Sequence, residues 1–451
     1  MSRPRSGEVR ELTVESLAAG GEGVARSEGF VLFVSHALPG ERVRVRVEEV
    51  HARYARGELL EVLNPSAHRV VPPCPAYPVC GGCQLQELSY AQQLVWKGRW
   101  VAESLERIGG IRAPVRAVMG GPPWRYRSKA VFPAAEREGR PVLGPYRQGT
   151  HQVVPVEDCL LQSPLANAVL RAVRRLWEER RLSVYDEGTR EGLLRHVLVR
   201  TDAAGAHALA VLVVAGSLPA GKGLGGELLS RVPGLVGVVE NRQSARTNVV
   251  LGRGERVLAG EGALRVELEG LTFTVSPRSF FQVNLPQAAA LYRTALEWAA
   301  LGPGDTAVDA YCGTGTLALL AARRGARVWG LEAQEAAVAD ARRSAAANHL
   351  GGVTFLTGPA EDLLARVPVS PQVVLLDPPR AGCQQRFLEG LSRLSPRRIV
   401  YVSCNPATLA RDLRRLGEDG WAVREVQPVD MFPQTAQVEA VAWLEREGAV
   451  W

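Results

Sequence analysis

Among the seven cysteines of this chain, Cys74, Cys80 and Cys83 fall within ten residues in the pattern C-x5-C-x2-C. Gly81 and Gly82 lie between the last two and free the backbone to fold tightly around an ion or cluster. Three thiolates need a fourth ligand, and Cys159 is the only other cysteine in the first two thirds of the sequence. Zinc and an iron–sulfur cubane both accept four thiolates, so the spacing implies a metal and leaves its identity open.

A second group of candidates lies further along. DTAVDAYCGTGTLALLAARRGARVWGLEAQ reads as a strand, a glycine-rich turn, a helix and a second strand ending in an acid. Gly313 and Gly315 let the backbone approach a ligand at the helix N-terminus. Glu332 follows Gly315 by 17 residues, near the spacing at which a carboxylate binds both hydroxyls of a ribose. A nucleoside cofactor is implied, and the match to G-x-G-x-x-A keeps NAD open as one. VVLLDPPRAG ends a buried strand in Asp377 and a stiff Pro-Pro loop, at the sheet edge where open α/β folds bind ligands. RIVYVSCNP does the same with Cys404, whose place at a strand end beside a turn favours a nucleophile over a small buried side chain. Glu439, between Val438 and Ala440, is a weak signal alone, since most single glutamates are solvated charges.

The elements that must position these residues can be outlined from periodicity. Over residues 7–66 apolar and polar residues alternate between Gly and Pro turns, which predicts short strands closing into a small barrel. Residues 69–86 are rich in Pro, Cys and Gly, and a helix with apolar and basic faces is expected over 89–107. Strands dominate 114–277, broken by one helical stretch at 166–181 that carries five arginines. From residue 287 helices alternate with short apolar strands, as βαβ units with a parallel sheet require. The expected fold class is therefore α/β. A C-terminal Rossmann-like domain with a parallel-rich sheet spans 281–451, a mixed α+β domain with the metal site spans 69–280, and the barrel spans 1–68.

Hydrophobic residues at 46% and charged residues at 22% exclude a disordered or fibrous chain. No apolar run approaches the ~20 residues that cross a bilayer, and no apolar stretch follows the N-terminal arginines, so the cytoplasm is the expected compartment. The 54 Lys and Arg against 47 Asp and Glu give a modest excess of +7, which favours an anionic partner such as nucleic acid. WRYRSK at 124–129 interleaves aromatics with cations and is a candidate RNA contact; a β-edge with solvated charges explains it equally well.

CGGC with its upstream Cys74, SFFQVN at 279–284, DAYCGTGTL, GLE, DPPRAG, VSCNP and DMFPQTAQVE occur in the order seen in a known family. Over essentially its whole length the chain resembles the S-adenosylmethionine-dependent RNA 5-methyluridine methyltransferases, which act on uracil C5 of tRNA and 23S ribosomal RNA. Its first sixty residues resemble a TRAM domain, an oligonucleotide-binding barrel, which favours the iron–sulfur-containing ribosomal RNA branch. The resemblance implies a [4Fe-4S] cluster on Cys74, Cys80, Cys83 and Cys159. It implies a methyl-donor site lined by Gln282, Tyr311, Glu332 and Asp377, with Cys404 as nucleophile and Glu439 as base. The implied partner is RNA, 23S first and tRNA second, bound by a monomer without a membrane role. Two positions depart from the family pattern: Gln437 stands where His is usual, and Thr316 where Asn is frequent. Arg380 follows the Pro-Pro where an amino-methylating enzyme would carry an aromatic. The rival readings are an NAD-dependent oxidoreductase with an auxiliary metal centre and a non-catalytic RNA-binding or assembly protein.

Overall fold

The computed structural model describes residues 3–218 and 223–446; the ends of the expected outer domains, 1–2 and 447–451, lie outside the described residues. Strands Val9–Leu17, Gly23–Ser27, Phe30–Val34, Arg42–Val50 and Tyr54–Asn64 close into a barrel. The alternation in RVRVRVEEV is the cause: Val43, Val45 and Val47 are buried with Leu12, Leu32 and Ala55, leaving the arginines outside. Those arginines meet glutamates across the strands, Arg42 with Glu11 at 2.6 Å, Arg44 with Glu61 at 2.6 Å and Arg46 with Glu58, so much of the barrel's surface charge is balanced.

A six-stranded sheet follows, ordered Gly254–Gly260, Leu235–Arg242, Ala208–Val214, Leu194–Thr201, Lys129–Arg137, Arg140–Leu143. Helices Pro164–Glu179 and Leu224–Arg231 cover one face. The first opens at Ser163, whose hydroxyl accepts from Ala166 N at 3.1 Å, with Pro164 where a missing N–H costs nothing. The second was not expected: LGGELLSR is short and carries two glycines, so propensity hid it and packing makes it. The sheet's other face, with Leu198, Leu209 and Val211, joins one continuous core with the hairpin Leu264–Leu268 and Leu271–Val275 and the helix Leu285–Ala299.

The C-terminal sheet has seven strands, ordered Val353–Thr357, Arg327–Glu332, Thr306–Ala310, Val373–Leu376, Arg398–Ser403, Glu439–Arg446, Trp421–Val429. The first five run parallel and the last two join antiparallel. The order reverses beside Thr306–Ala310, whose neighbours Arg327–Glu332 and Val373–Leu376 lie on opposite sides, which opens a crevice at the strands' carboxyl ends. This is the parallel-rich α/β architecture expected, with its antiparallel pair at one edge.

Helix Tyr90–Ser104, expected from sequence with apolar and basic faces, runs on into the helical turn Leu105–Gly109 and packs against the C-terminal domain through Val101 and Leu105. Lys97 is fully buried in it, 2.6 Å from Asp430. Among the described residues no helix is long and apolar enough to cross a membrane.

Candidate active site

The crevice is a cleft of about 670 Å3 lined by Gln282, Tyr311, Glu332, Asp377, Cys404 and Glu439, residues that lie as far apart as 282 and 439 in the chain. Its floor is the glycine turn. Gly313 and Gly315 both have positive φ, +54° and +77°, but for different reasons. A Cβ on Gly315 would lie 2.7 Å from the Phe355 ring, so this glycine serves packing. A Cβ on Gly313 would meet nothing within 4 Å, so its bare backbone faces the open cleft. Tyr311, just before the turn, is held at φ +63°, a conformation costly for a residue with a side chain. Its hydroxyl donates to Glu361 at 2.9 Å. Glu332 accepts from Gly313 N at 2.9 Å and from Gln334 N at 2.7 Å, which fixes its carboxylate across the turn.

Asp309 and Glu361 also line this cleft, and sequence reading passed over both. Asp309 accepts from Ala318 N at 2.8 Å, while its other oxygen is buried without a protein partner. Burial, with Asp377 and Glu332 nearby, holds its carboxyl well above the usual carboxylate range. The signal was present: an acid stands one residue before the end of the strand that leads into the turn, in DAYCGTG. Glu361 carries no local signature.

Opposite the turn, Cys404 follows the strand Arg398–Ser403 and precedes the helix Pro406–Glu418. Asn405 caps that helix, its side chain accepting from Ala407 N at 3.1 Å and donating to Arg380 O at 3.3 Å. The Pro-Pro loop is thereby tied to the cysteine's helix. The neighbouring strand Glu439–Arg446 is antiparallel, and its register pairs Ser403 with Ala440. That register sets Glu439 beside Cys404, because the reversed strand starts where the parallel one ends.

The electrostatics of this corner are those of buried like charges. Burial, and after it the charge of Asp377, pushes Glu439 up to about 8. Burial alone pushes Asp377 up to about 7. Cys404 is raised by burial, then by Glu439 and Asp377, while Arg380 draws it down. The start of the following helix also favours the thiolate. A thiol and a carboxylic acid, each holding its proton more firmly than usual because of burial, therefore share one cleft. The unpartnered oxygen of Asp309, the open face of Gly313 and the fixed carboxylate of Glu332 suit a cationic nucleoside ligand there.

The cysteines of the sequence cluster lie elsewhere. Cys74, Cys80, Cys83 and Cys159 wall one small cavity of about 30 Å3 together with Tyr77 and Leu161, and no disulfide joins them. Burial pushes Cys83 up to about 12 and also raises Cys80 and Cys159. Among the described residues, no group of three or more His, Cys, Asp or Glu is arranged to hold a metal ion. The cavity brings four soft donors to one apolar space without making a closed single-ion site.

In the 124–129 segment Arg125 pairs with Asp158 at 2.6 Å, Tyr126 is buried, and Arg127 lies 5.9 Å over the Phe432 ring at the cleft's edge. Of the two departures from the family pattern, both Gln437 and Thr316 line the cleft.

A TRAM domain profile matches residues 4–60, and a profile described as tRNA (Uracil-5-)-methyltransferase matches residues 258–447. An uncharacterised RNA methyltransferase of Halalkalibacterium halodurans is 41% identical over 97% of both chains. Another, from Caldanaerobacter subterraneus, is 41% identical over 99% of this chain and 100% of its own. Among solved structures, the Pyrococcus abyssi tRNA (uracil-54, C5)-methyltransferase in complex with S-adenosyl-L-homocysteine aligns with a TM-score of 0.79 and 28% identity, covering 96% of this chain and 99% of that one.

Proposed function

This chain belongs to the S-adenosylmethionine-dependent RNA uracil-5-methyltransferase family, and from that premise we propose that it methylates C5 of a uridine in 23S ribosomal RNA through a covalent adduct of Cys404 with C6. The observation that carries this reading is the register that pairs Ser403 with Ala440, since it sets a thiol and a carboxylate side by side in the cleft that also holds the ribose acid.

Uracil C5 is too weak a nucleophile to take a methyl group from a sulfonium directly. Addition of the Cys404 thiolate to C6 gives an enolate with electron density at C5. The methyl donor supplies, when bound, an electrophilic methyl carbon to that C5. Glu439 then removes the C5 proton, and breaking of the C6–S bond releases the product and restores the thiolate. Gln282, Tyr311, Glu332 and Asp377 would hold the donor, with Asp309 offering its unpartnered oxygen. A cationic donor in the same cleft favours the ionised forms of both Cys404 and Glu439. Gln437 stands two residues before the base and inside the cleft, so it can orient that carboxylate only as a neutral amide. The target base must leave its stack to reach Cys404, which suits a loop or a refolded hairpin in the RNA.

Cys74, Cys80, Cys83 and Cys159 would hold a [4Fe-4S] cluster: four thiols around one apolar cavity form the donor set that cluster needs, and a structural staple is its role. The TRAM barrel and this cysteine set support ribosomal RNA as substrate. The Pyrococcus abyssi relative acts on uracil-54 of tRNA, which supports tRNA as a second reading. Incubating the enzyme and donor separately with unmodified 23S RNA and unmodified tRNA, then mapping 5-methyluridine by mass spectrometry of nuclease fragments, decides between them. Product in 23S RNA alone is the expected outcome, and product in tRNA alone would overturn the ribosomal assignment.

A further inference from the structure

The loop 430–437, which carries Phe432 and Gln437 into the cleft and leads directly to Glu439, is held by residues that follow the cysteine cluster in sequence. Gln434 is the focus. It adopts φ +70°, and its carbonyl accepts from both Gln84 N at 3.0 Å and Leu85 N at 3.1 Å. Its side-chain oxygen accepts from Gln93 Nε2 at 3.0 Å, and its backbone N–H donates to Gln93 Oε1 at 3.0 Å. One turn further along the same helix, Lys97 donates to Asp430 at 2.6 Å and to Phe432 O at 3.0 Å. The side chain of Gln84 completes the connection. Its Nε2 donates to Gly81 O at 2.9 Å, inside the CGGC turn, and its Oε1 accepts from Ala436 N at 3.4 Å, three residues before Glu439.

We propose that the segment 84–97 is a clamp that fixes the loop leading to Glu439, with Gln84, Gln93 and Lys97 as positioning residues, so that the fold of the cysteine turn is transmitted to the catalytic base. The inference rests on the assignment of Glu439 as base and Cys404 as nucleophile. Three physical points carry it. A non-glycine residue in the left-handed region persists only where surrounding contacts hold it there, and four hydrogen bonds to the clamp do so. A buried Lys–Asp pair is sensitive to geometry, and here it spans 333 residues of sequence to join the clamp to the loop. The clamp starts one residue after Cys83, so a change in the fold of that turn moves Gln84 first. The nucleophile, just after the strand Arg398–Ser403, and the glycine turn of the donor site lie on other elements, which the clamp residues do not touch through any of these bonds.

The test separates base from nucleophile. RNA with 5-fluorouridine at the target has no C5 proton to remove, so addition and methyl transfer leave a trapped covalent complex that needs no base. Gln93→Leu and the milder Gln84→Ala, whose side chain is partly exposed and whose loss threatens folding less, are compared with the full-length wild-type enzyme. Turnover on uridine RNA is expected to fall at least tenfold for Gln93→Leu and severalfold for Gln84→Ala. The rate of trapping on fluorinated RNA is expected to stay within twofold for both. Equal losses in the two assays, or no loss in either, would overturn the clamp. Failure of the wild-type enzyme to trap at all would instead overturn the nucleophile assignment, and the clamp with it.

Discussion

In the proposed mechanism Glu439 and Cys404 both lose a proton before they act, and burial and Asp377 oppose that loss in each. Glu439 is pushed up to about 8, first by burial and then by Asp377, and Cys404 is raised by burial, Glu439 and Asp377. On the proposed roles both groups act deprotonated, so kcat/KM is expected to be still rising at pH 8, the value to which Glu439 is pushed, and to level off only above it. Asp377→Asn removes a negative neighbour from both groups, which lowers both affinities for protons. The rising limb of the pH profile is then expected to move to lower pH, measured as the half-maximal point of kcat/KM, whatever the loss in absolute rate. A limb that stays in place would remove Asp377 from the electrostatics of the site. At this scale much of the cleft's lining was legible: Cys404, Asp377 and Glu332 each stand at a strand's end, where an α/β sheet binds ligands. Asp309 was legible and passed over, whereas Glu361 reaches Tyr311 from 50 residues away with no pattern to announce it.

The parallel strands were readable as elements because each is a short apolar run between helical periods, and they occur as Thr306–Ala310, Arg327–Glu332, Val353–Thr357, Val373–Leu376 and Arg398–Ser403. Register was not readable, and register is what joins Glu439 to Cys404. The glycine turn offers a test at this level because its two glycines answer different demands. Gly315→Ala drives a methyl group into the Phe355 ring and imposes a left-handed alanine, so a loss of stability of about 2 kcal/mol or more is expected in chemical denaturation. Gly313→Ala meets open space, so its stability cost stays near the ~1 kcal/mol of the backbone conformation. Its affinity for S-adenosylhomocysteine, measured by calorimetry, is expected to fall about tenfold as the methyl group enters the cleft. The reverse pattern would show that Gly313 packs and Gly315 faces the ligand.

For the whole molecule, sequence suggested three consecutive blocks, while packing joins parts that are distant in the chain. Helix Tyr90–Ser104 packs against the C-terminal domain, and one core runs from the six-stranded sheet through the hairpin 264–275 into the cleft's wall. Lys97 shows why this stayed hidden: on a helix that reads as amphipathic, a lysine is counted with the solvated face, and its partner Asp430 lies 333 residues away. The barrel was legible through strict alternation, whereas the matching of its arginines by glutamates depends on strand register, which alternation does not give. What these assembled parts accomplish is tested most directly by tritium release from RNA carrying C5-tritiated uridine, with the wild-type enzyme and Cys404→Ala compared in the presence and absence of S-adenosylmethionine. Release is expected to require the methyl donor and to fall by at least a thousandfold in Cys404→Ala. Donor-dependent release that continues at the wild-type rate in Cys404→Ala would contradict the covalent adduct of Cys404 with C6.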